Sequence, residues 1–177
     1  MILQKDTLNL RTPELQDLEL LLAWENEKTN WKVSGTRKPY TKLEMLQFIE
    51  NCKQSISEME QQRFMINVEG RCVGTLDFFE YDEIHQRVGV GILIASARER
   101  KKGYAYMALQ LALNYAFKEL KMDQVFCNIL TENKGSLNLF HKLGFKDVGV
   151  KRKWVFYNGS FYDEMSLQLL QEDWNEA

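Results

Sequence analysis

Apolar and polar positions alternate in "TLNLR" (Thr7–Arg11) with the two-residue period of a short strand. Directly after it, "TPELQDLELLLAW" repeats leucine at helical spacing, with Thr12 placed as N-cap and Pro13 at the first helical position. A loop, "NWKVSGTRKPY", leads to a capping-box pattern, Thr41 with Glu44, ahead of the helical run "MLQFIENC". From Arg63 the period returns to that of strands. "RFMINVE", "RCVGTLDFFEY" and "QRVGVGILI" are β-rich runs separated by "EGR" and "DEIH", which predicts an antiparallel meander. An amphipathic helix follows from about Gly103 to Leu120, with Met107, Leu111 and Tyr115 on one stripe beside Ala108, Ala112 and Ala116. "QVFCNIL" reads as a strand and "NKGSLNLFHKL" as a short helix that Gly144 stops. Two longer strands, "FKDVGVKRKWVFY" and "FYDEMSLQLL", flank the hairpin signal "NGS".

The predicted order is β-α-α-β-β-β-α-β-α-β-β, a meander joined to strand-helix-strand crossovers, so an α/β domain with one mixed sheet is the economical fold. The chain has 177 residues and 45% apolar content, which suits one domain over 1–177, and no repeat or Pro/Gly/Ser linker divides it. Cys52, Cys72 and Cys127 lie far apart with no C-x-x-C pair, so neither a disulfide framework nor a metal site is expected. No apolar segment approaches the length of a membrane span, so a soluble, cytoplasmic protein without a membrane partner is expected.

One local feature stands against this ordinary background. "ARERKKGYAYM" (Ala97–Met107) sets Arg98, Arg100, Lys101 and Lys102 around Glu99, then breaks at Gly103 into the long helix. The net charge of the chain is −2, which argues against nucleic acid as the main partner, since such binders carry a basic face over the whole domain. At a strand-to-helix junction, free backbone N–H groups and the helix dipole favour an anion. Gly103 lets the main chain approach a ligand, Ala105 keeps the first turn narrow, and the cations attract phosphate oxygens. The loop lacks both G-x-x-x-x-G-K-[ST] and G-x-G-x-x-G, so it is neither a Walker loop nor a dinucleotide fingerprint.

Arg100-Lys101-Lys102-Gly103-Tyr104-Ala105 matches the R/Q-x-x-G-x-G/A signature of the GNAT superfamily of acyl-CoA-dependent N-acyltransferases. Together with "VFCNILTENKGSLNLFHKLGF", "GVKRKWVFYNGSFYDEMSLQL" and the early "LNLRTPELQDLELLLAW", it resembles the branch that holds the RimJ/RimL and spermidine acetyltransferases. The resemblance covers nearly the whole chain, most loosely from Asn26 to Tyr40. It implies a GNAT fold, with a central sheet of about seven strands, mostly antiparallel with a splayed parallel pair, flanked by about four helices. It also implies acetyl-CoA as co-substrate. Ile92, Leu93 and Ile94 would face the pantetheine amides, Arg98 and Arg100 to Ala105 would form the pyrophosphate loop, and Asn133 and Phe140 would face the cofactor. Asn133 is also a natural N-cap.

Acetyl transfer to an amine needs a neutral nitrogen at the thioester carbonyl, and a substrate ammonium has a pKa of roughly 10, so a base or water chain must take its proton. The family's usual acid, a tyrosine, is matched here by Phe140, which cannot donate a proton. His141 points about 100° away from it on a helix. The relatives' strand glutamate is matched by Gly89. Tyr104 and Tyr106 are expected to pack on the long helix. For the base, "DFFEYDEIH" offers Asp77, Glu80, Asp82, Glu83 and His85, of which Glu80 ranks first and Asp77 second. Alternation puts Asp77, Phe79 and Tyr81 on one face and Phe78 and Glu80 on the other. Asp163 is expected to make an ion pair or turn contact.

Trp24, Glu25, Trp31 and Tyr40 are candidates to wall the acceptor site. In polyamine-acetylating relatives the loop before "PY" is acidic, whereas Arg37 and Lys38 stand here, which counts against spermidine. A protein N-terminal amine, an amino sugar or another small amine stays open. The competing reading is a non-catalytic acyl-CoA-binding sensor or interaction module, to which Phe140 and Gly89 lend weight. Homodimerisation suits such folds.

Overall fold

The computed structural model describes residues 2–5 and 7–175. Among them, eight strands, β1 (Ile2–Lys5), β2 (Leu8–Arg11), β3 (Gln62–Val68), β4 (Arg71–Asp82), β5 (Arg87–Ile94), β6 (Gln124–Leu130), β7 (Lys146–Tyr157) and β8 (Ser160–Leu170), form one sheet. Its order is β1-β2-β3-β4-β5-β6-β8-β7. Every neighbouring pair is antiparallel except β5 and β6, which are parallel and joined through a helix, as a parallel crossover requires. Six helices accompany the sheet: α1 (Leu18–Glu25), α2 (Lys28–Ser34), α3 (Lys42–Asn51), α4 (Ile56–Met59), α5 (Tyr104–Asn114) and α6 (Lys134–Lys142). A π-helical turn over Tyr115–Glu119 prolongs α5.

Strand alternation sorts side chains between two cores. On one face Leu8, Leu10, Phe64, Ile66, Leu76, Phe78, Val88, Val90 and Val125 meet Ala108, Leu109, Ala112 and Leu113 of α5 and Leu137 and Phe140 of α6. On the other, Met65 packs with Leu18 and Leu21 of α1 and Met45 and Ile49 of α3. A large apolar side chain removed from water in this way contributes about 1.5–3 kcal/mol.

The mixed-sheet fold stands as expected, and the element count is finer: eight strands rather than about seven, and six helices rather than about four. β1 adds an edge strand with little alternation of its own. The stretch "NWKVSGTRKPY" is not wholly a loop. Its first residues belong to α2, a helix with β-branched Thr29 and Val33 that tertiary contacts hold: Trp31 Nε1 donates to Glu25 O at 2.9 Å and Tyr157 Oη to Lys28 O at 3.3 Å. The first long helix begins later than Thr12. A turn over Leu15–Asp17 precedes it, because Asp17 is turned inward to the Arg11 guanidinium, at 2.6 and 2.7 Å, and accepts from the Glu14 amide at 2.8 Å.

Candidate active site

The ladder between β5 and β6 runs only through Arg87–Gly89 against Gln124–Phe126. Beyond it β5 stays with β4 and β6 stays with β8, so Val90–Ile94 and Cys127–Leu130 diverge as the arms of a fork. Their facing edges have no strand between them. A cavity of about 310 Å³ fills the fork, lined by Val90, Gly91 and Ile92 from one arm and by Cys127 to Leu130 from the other. A second cavity, of about 570 Å³, borders it and shares Val33, Ile92, Asn133 and Ser136. Together they make a trough of the size that organic ligands occupy.

The outer cavity ends on the basic loop. Gly103 caps α5 at φ +86°, and Lys101 is also left-handed at φ +63°. An added Cβ on Gly103 would meet no atom within 4 Å, so the backbone angle and the open approach demand glycine there, not packing. The first amides of α5 lack intrahelical acceptors and carry the positive end of the helix dipole. Arg100, Lys101, Gly103, Tyr104 and Ala105 line this cavity with Ile92, Leu93, Ile94 and Asn133, the residues expected for a pantetheine and pyrophosphate site. Arg100 also ties the loop to the end of β5, its Nε donating to Ile94 O at 3.0 Å.

Two cations of the run lie elsewhere. Lys102 turns to Glu99, with Nζ to Oε2 at 2.9 Å, and Arg98 is exposed; neither lines the cavity. Asn133 caps α6, its Oδ1 accepting from Ser136 N at 3.2 Å, while it also lines both cavities. Phe140 is buried, packs edge-on against Phe145 at 5.0 Å and lines the fork. Tyr104 and Tyr106 pack partly buried against the core while their other sides border the outer cavity.

The acceptor residues expected from sequence are not gathered at the fork. Trp24 packs into the α1–α3 core. Trp31 is spent on Glu25 O, and Tyr40, 40% exposed, has its backbone N–H donating to Asn26 Oδ1 at 2.7 Å and its carbonyl accepting from Asn26 Nδ2 at 3.0 Å. Lys32, Val33, Ser34 and Gly35 at the end of α2 line the fork instead. Lys32 sits 3.3 Å over the Tyr162 ring and pairs with Glu132, which pins this end of the helix to β8.

Nor do the expected bases reach it. Asp77 holds Arg63, with Nε to Oδ1 at 2.5 Å and Nη2 to Oδ2 at 3.1 Å, and Arg63 also pairs with Glu25 and lies 4.8 Å from the Phe48 ring. Glu80 is exposed at φ +50° on a bulge between Phe79 and Asp82. That bulge also breaks the expected alternation, so Tyr81 packs with the Phe78 core rather than beside Asp77. Asp82 takes the His85 amide and ring at 2.9 and 2.8 Å, closing the hairpin turn. His141 is bound outward to Asp147 at 2.7 Å, and Asp163 accepts from the Lys153 amide at 2.7 Å, a contact between β8 and the irregular stretch of β7 rather than the ion pair or turn contact expected of it.

At the vertex, Gly89 faces the Phe79 ring: a Cβ there would lie 2.3 Å from Phe79 Cε2. Phe79 in turn packs edge-on against Phe126 at 5.8 Å. A glutamate side chain at position 89 has no room while Phe79 stays. Burial pushes the Cys127 thiol far up, so the cysteine lining the fork is a protonated, apolar wall. The carboxylate that does line the fork is Glu164 on β8, which sequence reasoning passed over in favour of its neighbour Asp163. Lys151 Nζ reaches Glu164 Oε2 and Asn128 Oδ1, each at 3.1 Å, and Ser166 Oγ lies 2.8 Å from the same Asn128 oxygen.

A fork in the sheet that opens onto a glycine-capped helix is the geometry expected of an acyl-CoA site, and the sequence profile of the acetyltransferase (GNAT) domain family matches residues 7–146. The chain belongs to the GNAT acetyltransferases. It is an acyltransferase of a family that draws its acetyl group from acetyl-CoA. The chain is 26% identical over 165 residues to spermidine N(1)-acetyltransferase of Vibrio cholerae, covering 93% of each protein. In fold it is similar to the structure of Vibrio cholerae spermidine N-acetyltransferase with CoA and spermine, at a TM-score of 0.85 and 23% identity, covering 96% of this chain and 98% of that one. A dodecameric structure of the same Vibrio enzyme superposes with a TM-score of 0.77 at 23% identity, over 95% and 96% of the two chains. Among the described residues no group of three or more His, Cys, Asp or Glu is placed to hold a metal ion, and no helix is long and apolar enough to cross a membrane.

Proposed function

We propose that this acetyltransferase moves the acetyl group of acetyl-CoA onto the nitrogen of a primary amine, by direct attack with both substrates bound. The observation that carries this is the fork, whose β5 arm leads to the Gly103 loop and whose walls offer a co-substrate and an acceptor one shared cavity. Ile92, Leu93 and Ile94 hold the pantetheine arm, and Arg100, Lys101, Gly103 and the first amides of α5 hold the pyrophosphate. The acceptor comes from the side that α2 roofs. The amine specificity of the Vibrio relatives supports a nitrogen acceptor. Lys32 on α2 and Arg37 and Lys38 in the segment that follows it weigh against a polycation such as spermidine and towards an N-terminal amine, an amino sugar or a small monoamine. Membership of an acetyltransferase family weighs against a non-catalytic sensor.

The test is release of free CoA from acetyl-CoA with spermidine, glucosamine, glycinamide and N-terminal peptides, beside a calorimetric titration of acetyl-CoA. Turnover with one amine class supports the reading, and binding without turnover across a widened panel refutes it. The same reading includes a homodimer, built on the exposed apolar side chains of the β7–β8 hairpin, among them Trp154 and the Phe156–Phe161 ring pair at 4.9 Å. Sedimentation equilibrium in which Trp154→Glu with Phe156→Glu leaves the molecular mass unchanged would sink that part.

A further inference from the structure

We propose that Glu164 is the residue that takes the proton of the acceptor amine, in a fork where Gly89 under the Phe79 ring leaves no room for a strand carboxylate. The inference rests on the amine-acetyltransferase reading above. Its first support is position. Among the described residues lining the fork cavity, Glu164 supplies the one carboxylate, and it shares that cavity with Gly91, Asn128 and Phe140. Register places Glu164 opposite Leu130 of β6 and Lys151 of β7. It therefore stands on the sheet face of Asn128 and Ser166, away from the core that α5 and α6 cover. That is the face roofed by α2, and an acceptor entering the fork from it passes Glu164.

The second support is how the side chain is held. Its exposure is 15%, and Lys151 fixes one carboxylate oxygen, Oε2, at 3.1 Å while also gripping Asn128. The other oxygen, Oε1, has no partner among the described residues and is left for a donor. Lys151 from β7 and Lys32 from α2 are the cations facing this side of the cavity, and Lys32 is engaged by Glu132 and the Tyr162 ring. A carboxylate locked by one oxygen and open at the other is suited to accept a proton from an ammonium placed beside it.

The step balances simply. The substrate ammonium gives one proton to Glu164, which later passes it to solvent. The freed lone pair forms the C–N bond at the thioester carbonyl, the C–S bond breaks, and the departing thiolate takes up the second proton from the acylated nitrogen. No enzymic acid is needed at Phe140, because a thiolate leaves far more readily than the alkoxide of an ester would. The neighbouring Asp163 takes no part, its carboxylate being tied to the Lys153 amide.

The experiment compares wild type, Glu164→Gln and Glu164→Asp with two acceptors at pH 7: the fastest amine of the panel above, and hydroxylamine, which is already neutral and needs no base. Glu164→Gln is expected to lower kcat/KM for the amine by about 10²-fold or more, mainly in kcat, with acetyl-CoA affinity kept and a much smaller loss for hydroxylamine. Glu164→Asp should recover part of the amine rate, and it also serves if the glutamine variant does not fold. Equal loss with both acceptors, or no loss with the amine, overturns the role. A wild-type protein that binds acetyl-CoA but acetylates nothing in the panel overturns the parent reading, and this one with it.

Discussion

Replacing Gly103 by alanine separates backbone strain from ligand recognition. The residue sits at φ +86° with open space where a Cβ would go, so the variant meets no clash and pays only the left-handed backbone cost, about 1–2 kcal/mol. For a chain of this length that shifts Tm by roughly 2–4 °C per kcal/mol. Binding suffers separately. On the proposed reading the methyl group stands where pyrophosphate approaches the first amides of α5, and loss of one charge-assisted hydrogen bond costs about 1.5–3 kcal/mol. Acetyl-CoA should bind roughly ten- to 150-fold more weakly by calorimetry. Gly159 is the control: it turns the β7–β8 hairpin at φ +79°, also with nothing within 4 Å, and lies outside both cavities. Gly159→Ala should lower Tm alike and leave the Kd alone. A folded Gly103→Ala variant with wild-type affinity, or the same loss of affinity in Gly159→Ala, refutes the cradle.

Arg63→Met leaves Glu25 and Asp77 facing each other without their cation, and should cost about 3–5 kcal/mol in urea unfolding, much of it regained when Glu25→Gln and Asp77→Asn are added. Burial raises the Asp17 pKa, but the Arg11 fork and the Glu14 amide outweigh it and hold the carboxyl below its ordinary value of 3.8. Its contribution is therefore complete above the unfolded pKa and is lost as pH falls through the folded one; Asp17→Asn should flatten the fall in stability below about pH 4. Gly89→Ala drives a methyl into the Phe79 ring and should destabilise by about 1–3 kcal/mol, with Phe79→Leu in the same chain relieving part of it. Burial lifts the Cys52 thiol to about 11, so iodoacetamide at pH 8 should leave it unlabelled until the protein is unfolded in urea.

The elements with a strong period or a strong stop were legible in the sequence. Thr41 and Glu44 form the capping box that their spacing predicts, and Asn158 and Gly159, at φ +48° and +79°, make the tight hairpin that "NGS" announces. α4 carried the same signature in Ser55 and Glu58, but only one turn follows it, too little for apolar spacing to register. α2 had no helical pattern because tertiary partners, not propensity, hold it. The glycine-capped basic loop was legible because its requirement is local: a glycine at the helix start with cations beside it. The acceptor side was not, since its residues come from α2, β6, β7 and β8 and meet only through the register of the sheet. A single bulge at Glu80 was enough to undo the alternation that sorted Asp77 and Tyr81 onto one face of the strand.

Gly89 and Phe140 look like two separate losses along the chain, yet in space they leave one consistent environment. Phe79 over Gly89 and Phe126 beside it close the vertex, and Phe140 and the protonated Cys127 give the fork's walls an apolar part beside Asn128, Ser136 and Glu164. A carboxylate on a cavity wall is best placed beside a lysine that a neighbouring amide oxygen holds. The Glu164–Lys151–Asn128 group has that form. A base on β8 also stands on the far arm of the fork from β5, so the acceptor's nitrogen must lie between it and the pantetheine wall. Specificity then follows from what α2 admits to that gap, and Lys32, Val33 and Ser34 rather than the tryptophans become the positions at which to change the choice of amine.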